Sequence, residues 1–351
     1  MSWWNDEAEP DEPYGDYDES QIRSRPNPKA NRQRTKRRPD HADSVTGMIT
    51  GVDRGRYSLL VAAGVPDARD EERQITAARA RELTKTSIVT GDRVQLVGDT
   101  SGDAGSLARI VSIDERSTLL RRSADDSDRV ERVIVANADQ MLIVVAAANP
   151  EPRVRLVDRY LVAAYDAGLQ PLICVTKTDL ADPSDFLSHF AALDVPTFLS
   201  AQGAEPVEAI AQALVGHETV FVGHSGVGKS TLINALVPDA DRATGHVNVV
   251  TGRGRHTSSS TVSLRLETPK GAGWVIDTPG VRSFGLGHVT PEGILKGFRE
   301  LEEVMRGCPR GCTHLSDAPN CALDEAIRSG ALDQTGAGRV ESLRRLLEDR
   351  D

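Results

Sequence analysis

Gly223-His224-Ser225-Gly226-Val227-Gly228-Lys229-Ser230-Thr231 fits the spacing G-x-x-x-x-G-K-[ST] of a phosphate-binding loop. The apolar run Thr219-Val220-Phe221-Val222 leads in with the character of a buried strand. Leu232-Ile233-Asn234-Ala235-Leu236 leads out with that of a helix. That order matters physically. Glycines let successive backbone N–H groups turn toward a phosphate, and the N-terminus of the following helix adds partial positive charge. In this frame Lys229 reaches the β- and γ-phosphates of a nucleoside triphosphate, and the Ser230 hydroxyl binds Mg²⁺.

Upstream of the loop, strand-like and helix-like segments alternate. Gln140–Ala147, Pro171–Val175 and Val195–Leu199 read as strands. Arg153–Ala167, Pro183–Leu193 and Pro206–Leu214 read as helices. Such alternation predicts a parallel sheet with helices on both faces and a ligand site at the carboxyl ends of the strands. Further toward the N-terminus, Val45–Val52, Tyr57–Val61, Gly91–Val97 and Leu107–Ile113 are short strand patterns separated by turn signals. They predict a small β-barrel or sandwich, an OB-type barrel being one candidate. Tyr57 is the only aromatic residue between positions 41 and 120, which gives base stacking little support there. The Arg-rich stretch Ser117–Arg132 reads as a linker.

The 351 residues, 39% hydrophobic and 27% charged, suit a globular protein of two or three domains. No run approaches the ~18 apolar residues of a membrane span. The polar start is unlike a signal peptide, so a cytoplasmic protein is expected. The net charge of −10 is unevenly placed. Residues 1–20 hold Asp and Glu but no Lys or Arg, and residues 21–40 are strongly basic. Blocks of this kind predict a disordered tail over residues 1–43, serving either as a solubilising segment or as a basic arm for RNA phosphates.

Three further motifs fit the phosphate loop. Trp274-Val-Ile-Asp277-Thr-Pro-Gly280 closes a strand with D-x-x-G, so Asp277 would hold Mg²⁺ through water and the Gly280 N–H would sense the γ-phosphate. Thr176-Lys177-Thr178-Asp179 resembles the guanine-reading motif N-K-x-D, with Thr in place of Asn. The Asp179 carboxylate can accept from guanine N1–H and N2–H₂, a donor pair adenine lacks, so the site selects GTP. The Lys177 stem would cover the base, and Ser200-Ala201 resembles the backbone contact to guanine O6. Arg242–Ser260, polar and Gly/Ser/Thr-rich, predicts a mobile loop ordered by the γ-phosphate and Mg²⁺. Within it Thr257 is the chosen Mg²⁺ hydroxyl, with Thr244, Ser258 and Ser259 as competitors. The guanine-reading motifs precede the phosphate loop, which makes this a circularly permuted GTPase order. Val281 stands where many GTPases carry a water-orienting Gln. Arg255 and His256 are the nearest groups that could replace it.

At the C-terminal end, Cys308-x₃-Cys312-x-His314-x₆-Cys321 offers three thiolates and an imidazole, the closed tetrahedral set of structural Zn²⁺. The surrounding segment, residues 289–351, reads as mostly helical and too small to be stable alone without the metal. Cys174 sits alone in an apolar run as a core residue.

Together these features resemble the ribosome small-subunit-dependent GTPase A family (RsgA/YjeQ) over roughly residues 44–330. The resemblance rests on the permuted order of Thr176–Asp179, Ser200-Ala201, Gly223–Thr231, Gly254-Arg-His-Thr257 and Asp277–Gly280, on Gly280–Leu286, and on the Cys/His cluster. It implies an OB-type barrel over 44–118, a permuted P-loop GTPase domain over 119–288 and a zinc-binding domain over 289–351. It also implies GTP hydrolysis to GDP and phosphate, stimulated by the small (30S) ribosomal subunit and its 16S rRNA, in late maturation of that subunit. Lys229, Thr257 and His256 would be the catalytic residues. A monomer with no membrane contact is expected.

Overall fold

The computed structural model describes residues 43–62, 72–84, 86–123, 131–238, 261–278, 286 and 289–348. All but Asp43 of the tail expected over residues 1–43, and the polar stretch 242–260, lie outside these residues.

Five strands open the described chain: β1 (Val45–Asp53), β2 (Arg56–Val61), β3 (Arg73–Arg79), β4 (Arg93–Gly98) and β5 (Ala108–Ile113). β1 pairs with both β2 and β4, β2 with β3, β3 runs parallel to β5, and β5 pairs with β4. The order therefore returns to β1 and closes, which makes it a barrel and not a sandwich. Inward-facing residues alternate along each strand and form one core of Ile49, Leu59, Val61, Ile75, Val94, Leu96 and Ile110. Tyr57 is buried in that core, so it offers no stacking surface. β3 is not apparent in the sequence pattern, because only Ile75 and Ala77 of its seven residues are buried.

The expected linker at 117–132 is corrected by the structure. β6 (Leu119–Ser123) and β7 (Glu131–Ala136) pair antiparallel. Thr118 and Asn137 tie the base of this hairpin together through the bond from the Asn137 N–H to the Thr118 carbonyl at 3.0 Å. Leu120 and Val135 are fully buried, and burying them holds a segment whose charge suggested a solvated connector.

The second half of the sheet runs β10 (Thr197–Leu199), β9 (Gln170–Thr176), β8 (Gln140–Ala146), β11 (Glu218–Val222) and β13 (Gly271–Asp277), all parallel. β12 (Val262–Thr268) lies antiparallel beside β13. All seven residues of β8 are buried, as a central parallel strand requires. Its side chains divide by parity. Met141, Ile143 and Val145 face a core shared with α1 (Val154–Asp166) and the C-terminal helices, whereas Leu142, Val144 and Ala146 face α3 (Val207–Leu214) and α4 (Lys229–Leu236). Cys174 sits in the second core, and burial pushes its thiol up to about 12. The helix expected over 183–193 is shorter: one turn, α2 (Ser184–Ser188), then a 3₁₀ turn at Ala191–Leu193. Phe186 and Phe190 both turn into the core edge-to-face, 5.3 Å apart, and Asp194 ends the turn in the left-handed region.

β12 also touches the barrel, with Gly51 of β1 opposite Val262. Barrel and parallel strands thus form one eleven-stranded sheet. The C-terminal part is helical as expected: α5 (Pro291–Leu295), α6 (Glu302–Met305), α7 (Ala322–Ser329) and α8 (Gln334–Glu348). It shares a core with α1 through Phe298, Leu301, Val340 and Leu343. Arg339 of α8 is 2% exposed. It pairs with Asp158 of α1, with Glu300 at 2.7 Å and with the Gly297 carbonyl at 3.0 Å, under the Phe298 ring. A buried guanidinium is tolerated because its donors are engaged. Among the described residues no helix is long and apolar enough to cross a membrane.

Candidate nucleotide site and metal cluster

The carboxyl ends of β9, β10, β11 and β13 converge on one cleft. β11 ends at Val222 and the chain turns through Gly223–Gly228 into α4, which starts at Lys229. Gly223 is obligatory for a steric reason: a Cβ there would lie 2.4 Å from the Val144 carbonyl oxygen of the neighbouring strand. Val227 points into the core, Ser225, Gly226, Ser230 and Thr231 are exposed, and His224 is half-buried with Nδ1 3.0 Å from the Ser225 carbonyl. The Lys229 ammonium forms an ion pair with Asp277 at the end of β13. Sequence positions 229 and 277, predicted to share phosphate and Mg²⁺, are thus in contact. Thr278 beside them is buried and donates to the Phe221 carbonyl at 2.9 Å. Gly280, Val281, Arg255, His256 and Thr257 lie outside the described residues.

Thr176 answers the question raised by its departure from Asn. Its hydroxyl is buried between two carbonyls, Val145 O at 3.2 Å and Val227 O of the phosphate loop. It ties the base-reading strand to the phosphate loop through one short side chain. Lys177, in the left-handed region, sends its ammonium to the Gly226 carbonyl at 2.7 Å and to that of Asn149. Its stem therefore spans from β9 to the phosphate loop. The Thr178 N–H donates to the Ser200 carbonyl at 3.2 Å, and the Ser200 N–H to Val175 O at 2.8 Å, which ties the ends of β9 and β10 together.

A cavity of about 270 Å³ lies between these segments. Thr176, Lys177, Asp179, Ser200 and Ala201 line one side, Gly228, Thr231 and Leu232 the other. Asp179 Oδ1 accepts from the Gln202 N–H at 3.0 Å, which anchors one oxygen of the carboxylate. Oδ2 accepts from no described residue. Gln202, Glu205 and Leu180 also line the cavity and are not singled out by the sequence. Leu180 and Gln202 are signalled only by adjacency to Asp179 and Ala201, and Glu205 by nothing in the sequence. Glu205 accepts from the Gly203 N–H at 3.1 Å and so closes the short turn that presents Gln202.

The second candidate site lies between α6 and α7. The ligand atoms of Cys308, Cys312, His314 and Cys321 all lie within 4.8 Å of one another. Cys308 Sγ is 3.5 Å from His314 Nδ1 and 3.9 Å from Cys321 Sγ. Tetrahedral Zn²⁺ with bonds of about 2.3 Å requires sulfurs roughly 3.8 Å apart, so the donor set fits. Burial, with the neighbouring thiols adding to it, pushes the Cys308 thiol up to about 11. Burial first, and then Arg344, holds the His314 imidazole below its ordinary value. The imidazole is thus already held in the neutral form that a metal ligand needs, and a cation among the four would bring the Cys308 thiol down by favouring its thiolate. Arg344 donates to the His314 carbonyl at 3.0 Å and to Asp324 at 2.8 Å, which steadies the loop from α8. Backbone N–H groups of His314 and Ala322 donate to Cys312 and Cys308 Sγ, each at 3.4 Å.

Base-reading segments that precede the phosphate loop in the chain, yet join it in one cleft, define a circularly permuted GTPase. Residues 113–287 match the family described as RsgA GTPase. The small ribosomal subunit biogenesis GTPase RsgA of Pseudomonas aeruginosa (strain LESB58) is 39% identical over 254 residues, 70% of this chain and 72% of the relative. Its counterpart from Ectopseudomonas mendocina (strain ymp) is 39% identical over 269 residues, 74% of each chain. Two solved structures share the fold. YjeQ from Thermotoga maritima has a TM-score of 0.63 at 22% identity, covering 88% of this chain and 98% of that one. YloQ, described as a circularly permuted GTPase, has a TM-score of 0.61 at 24% identity, covering 89% and 98%. The chain belongs to the RsgA GTPase family, and it is a GTP hydrolase.

Proposed function

We propose that this GTPase binds the small (30S) ribosomal subunit, through its 16S rRNA, and assists late maturation of that subunit by hydrolysing GTP when docked. The observation that carries the nucleotide assignment is the shared cavity, in which Asp179 and Ala201 face the start of α4. In this reading Asp179 accepts from guanine N1–H and N2–H₂ and the Ala201 N–H meets O6. Lys177 covers the base and Thr176 and Ser200 hold the walls. The backbone N–H groups of Gly223–Thr231 and the Lys229 ammonium hold the phosphates. Ser230 and Asp277 hold Mg²⁺ with Thr257, and Gly280 senses the γ-phosphate. Mg²⁺ supplies charge neutralisation on the phosphates. Phosphates and Mg²⁺ would each take one partner of the Lys229–Asp277 ion pair, so nucleotide loading rearranges that contact.

His256 is assigned to the attacking water, because imidazole can accept a proton or hydrogen-bond water near neutral pH. Cys308, Cys312, His314 and Cys321 hold one structural Zn²⁺ with no open position for substrate. The protein acts as a monomer in the cytoplasm, with GTP and GDP as its nucleotides. The small-subunit assignment rests on family membership, since the relatives carry that role in their names.

The test is GTP turnover by the full chain alone and with purified 30S, 50S and 70S particles. Stimulation by 30S above the other two is expected; equal stimulation by all three, or none, rejects the small-subunit assignment. A matched assay with ATP is expected to show no turnover. In the same assay, His256→Ala is expected to lower stimulated turnover by ~10²-fold while subunit binding persists.

A further inference from the structure

Besides the pairing of β1 with β12 and the ion pair of Arg93 with Glu218, the barrel meets the rest of the sheet at the turn Val89–Asp92, which leads into β4. Thr90 is 1% exposed, and its hydroxyl donates to the Thr261 carbonyl at 3.0 Å. Thr261 directly follows, in sequence, the 242–260 stretch, and Val262 opens β12. From there a single transverse row crosses the sheet. Gly51 of β1 is the register partner of Val262, Val262 of Asp277, and Asp277 of Phe221 in the strand that feeds the phosphate loop. A barrel strand and the carboxylate assigned to Mg²⁺ are therefore two strands apart in one hydrogen-bonded row.

The turn that presents Thr90 is held from every side. Asp92 is fully buried, accepts from the Val89 N–H at 2.8 Å and receives a two-pronged contact from Arg116 at 2.6 and 2.8 Å. Such a fork is geometrically stiff as well as strong. The Gly91 N–H donates to Ile49 O at 2.8 Å, the Ala136 N–H to Thr90 O at 3.1 Å, and Asn137 to Gly91 O at 2.9 Å. Gly91 has a positive φ, and a Cβ there would lie 2.0 Å from the Ala136 carbonyl oxygen, so only glycine fits between the turn and β7. A buried ion pair and a sterically compulsory glycine hold this turn where β1 and β4 close the barrel. Their combined effect is to fix one hydroxyl against the start of β12.

We propose that Thr90 is a positioning residue for GTP hydrolysis: through Thr261 it sets the start of β12 and, across the row, the placement of Asp277, and so carries the effect of a partner docked on the barrel to the nucleotide site. The proposal rests on the small-subunit reading above, and its test separates the two. The wild-type chain must first show 30S-stimulated turnover; its absence condemns the earlier reading alone. Thr90→Val keeps the shape and removes the hydroxyl, whereas Thr90→Ser keeps the hydroxyl and removes the methyl. Thr90→Val is expected to lower stimulated kcat about five- to tenfold, the scale of one lost hydrogen bond, with the KM for GTP and the affinity for 30S within about twofold of wild type. Thr90→Ser is expected to retain stimulated kcat. Loss in Ser with retention in Val identifies a packing role and overturns the proposal, as does unchanged kcat in Val. A fall in 30S affinity that accounts for the loss also overturns it, by making Thr90 a docking residue. Arg116→Lys, which replaces the fork by a point charge, is the second variant should Thr90→Val not fold. It is expected to lower stimulated kcat in the same direction, and an unchanged value overturns the proposal.

Discussion

The nucleotide cleft and the Cys/His cluster are built in opposite ways. The cleft draws Thr176, Ser200, Gly223 and Asp277 from four strand ends spread over a hundred residues of chain. Backbone contacts and a buried threonine hold it together. The cluster takes four side chains from one loop and the start of α7, and its ligand atoms converge within 4.8 Å with little regular structure between them. In the cleft the fold makes the site. In the cluster the proposed cation would let the donor set order its own loop. The difference teaches that one substitution should remove function and leave structure in the first case, and remove local structure and leave function in the second.

The largest expected effect breaks the comparison on the cleft side. Lys229→Ala removes the phosphate-loop ammonium and is expected to abolish measurable hydrolysis, while elemental analysis still finds about one zinc per chain. Zinc lost along with activity would show that the two sites are not independent. Cys312→Ser is the reciprocal change. It should lower zinc content and raise amide exchange in residues 308–321, with GTP affinity retained. Because Arg339 anchors α8 to Asp158 on α1, protection of α8 is expected to persist in this variant. Melting of α8 as well would mean that metal, and not the buried guanidinium, holds the C-terminal helices.

Smaller changes sharpen the reading of the cleft. Asp179→Asn should weaken GTP binding by roughly 1–3 kcal/mol, the cost of losing charge-assisted bonds to guanine. Xanthosine triphosphate should gain, because its C2 carbonyl accepts where guanine donates. Calorimetry with unchanged GTP affinity would remove Asp179 from the base contact. Thr176→Val should cost about 0.5–1.5 kcal/mol in GTP binding, one buried hydrogen bond between base-reading strand and phosphate loop. Thr176→Ser should restore it. Equal affinities for all three proteins would show that the loop holds its shape without that tie.

Much of this protein is written locally. The phosphate loop is legible because four fixed positions, Gly223, Gly228, Lys229 and Ser230, between an apolar strand and a helix, have one common physical use. The Cys/His cluster is legible because its ligands are neighbours in sequence and a closed donor set needs no distant help. The parallel strands are legible from their apolar runs, and the permuted motif order from the positions of Thr176, Gly223 and Asp277. Tertiary structure decided what depends on residues far apart. β3 and the β6–β7 hairpin are strands because partners pair with them, not because their side chains prefer it. Gln202 enters the cleft only because the chain turns back at Ala201–Ala204. Thr176 replaces an amide with a hydroxyl, and only the proximity of the Val227 carbonyl shows how that hydroxyl is used. Thr90 is an ordinary residue before a glycine until the sheet brings Thr261, 171 positions away, within hydrogen-bond distance. Local propensity and spacing act over a few bonds and so can be read along the chain. A hydrogen bond between distant segments depends on the geometry of every strand between them, and that is settled only when the sheet closes.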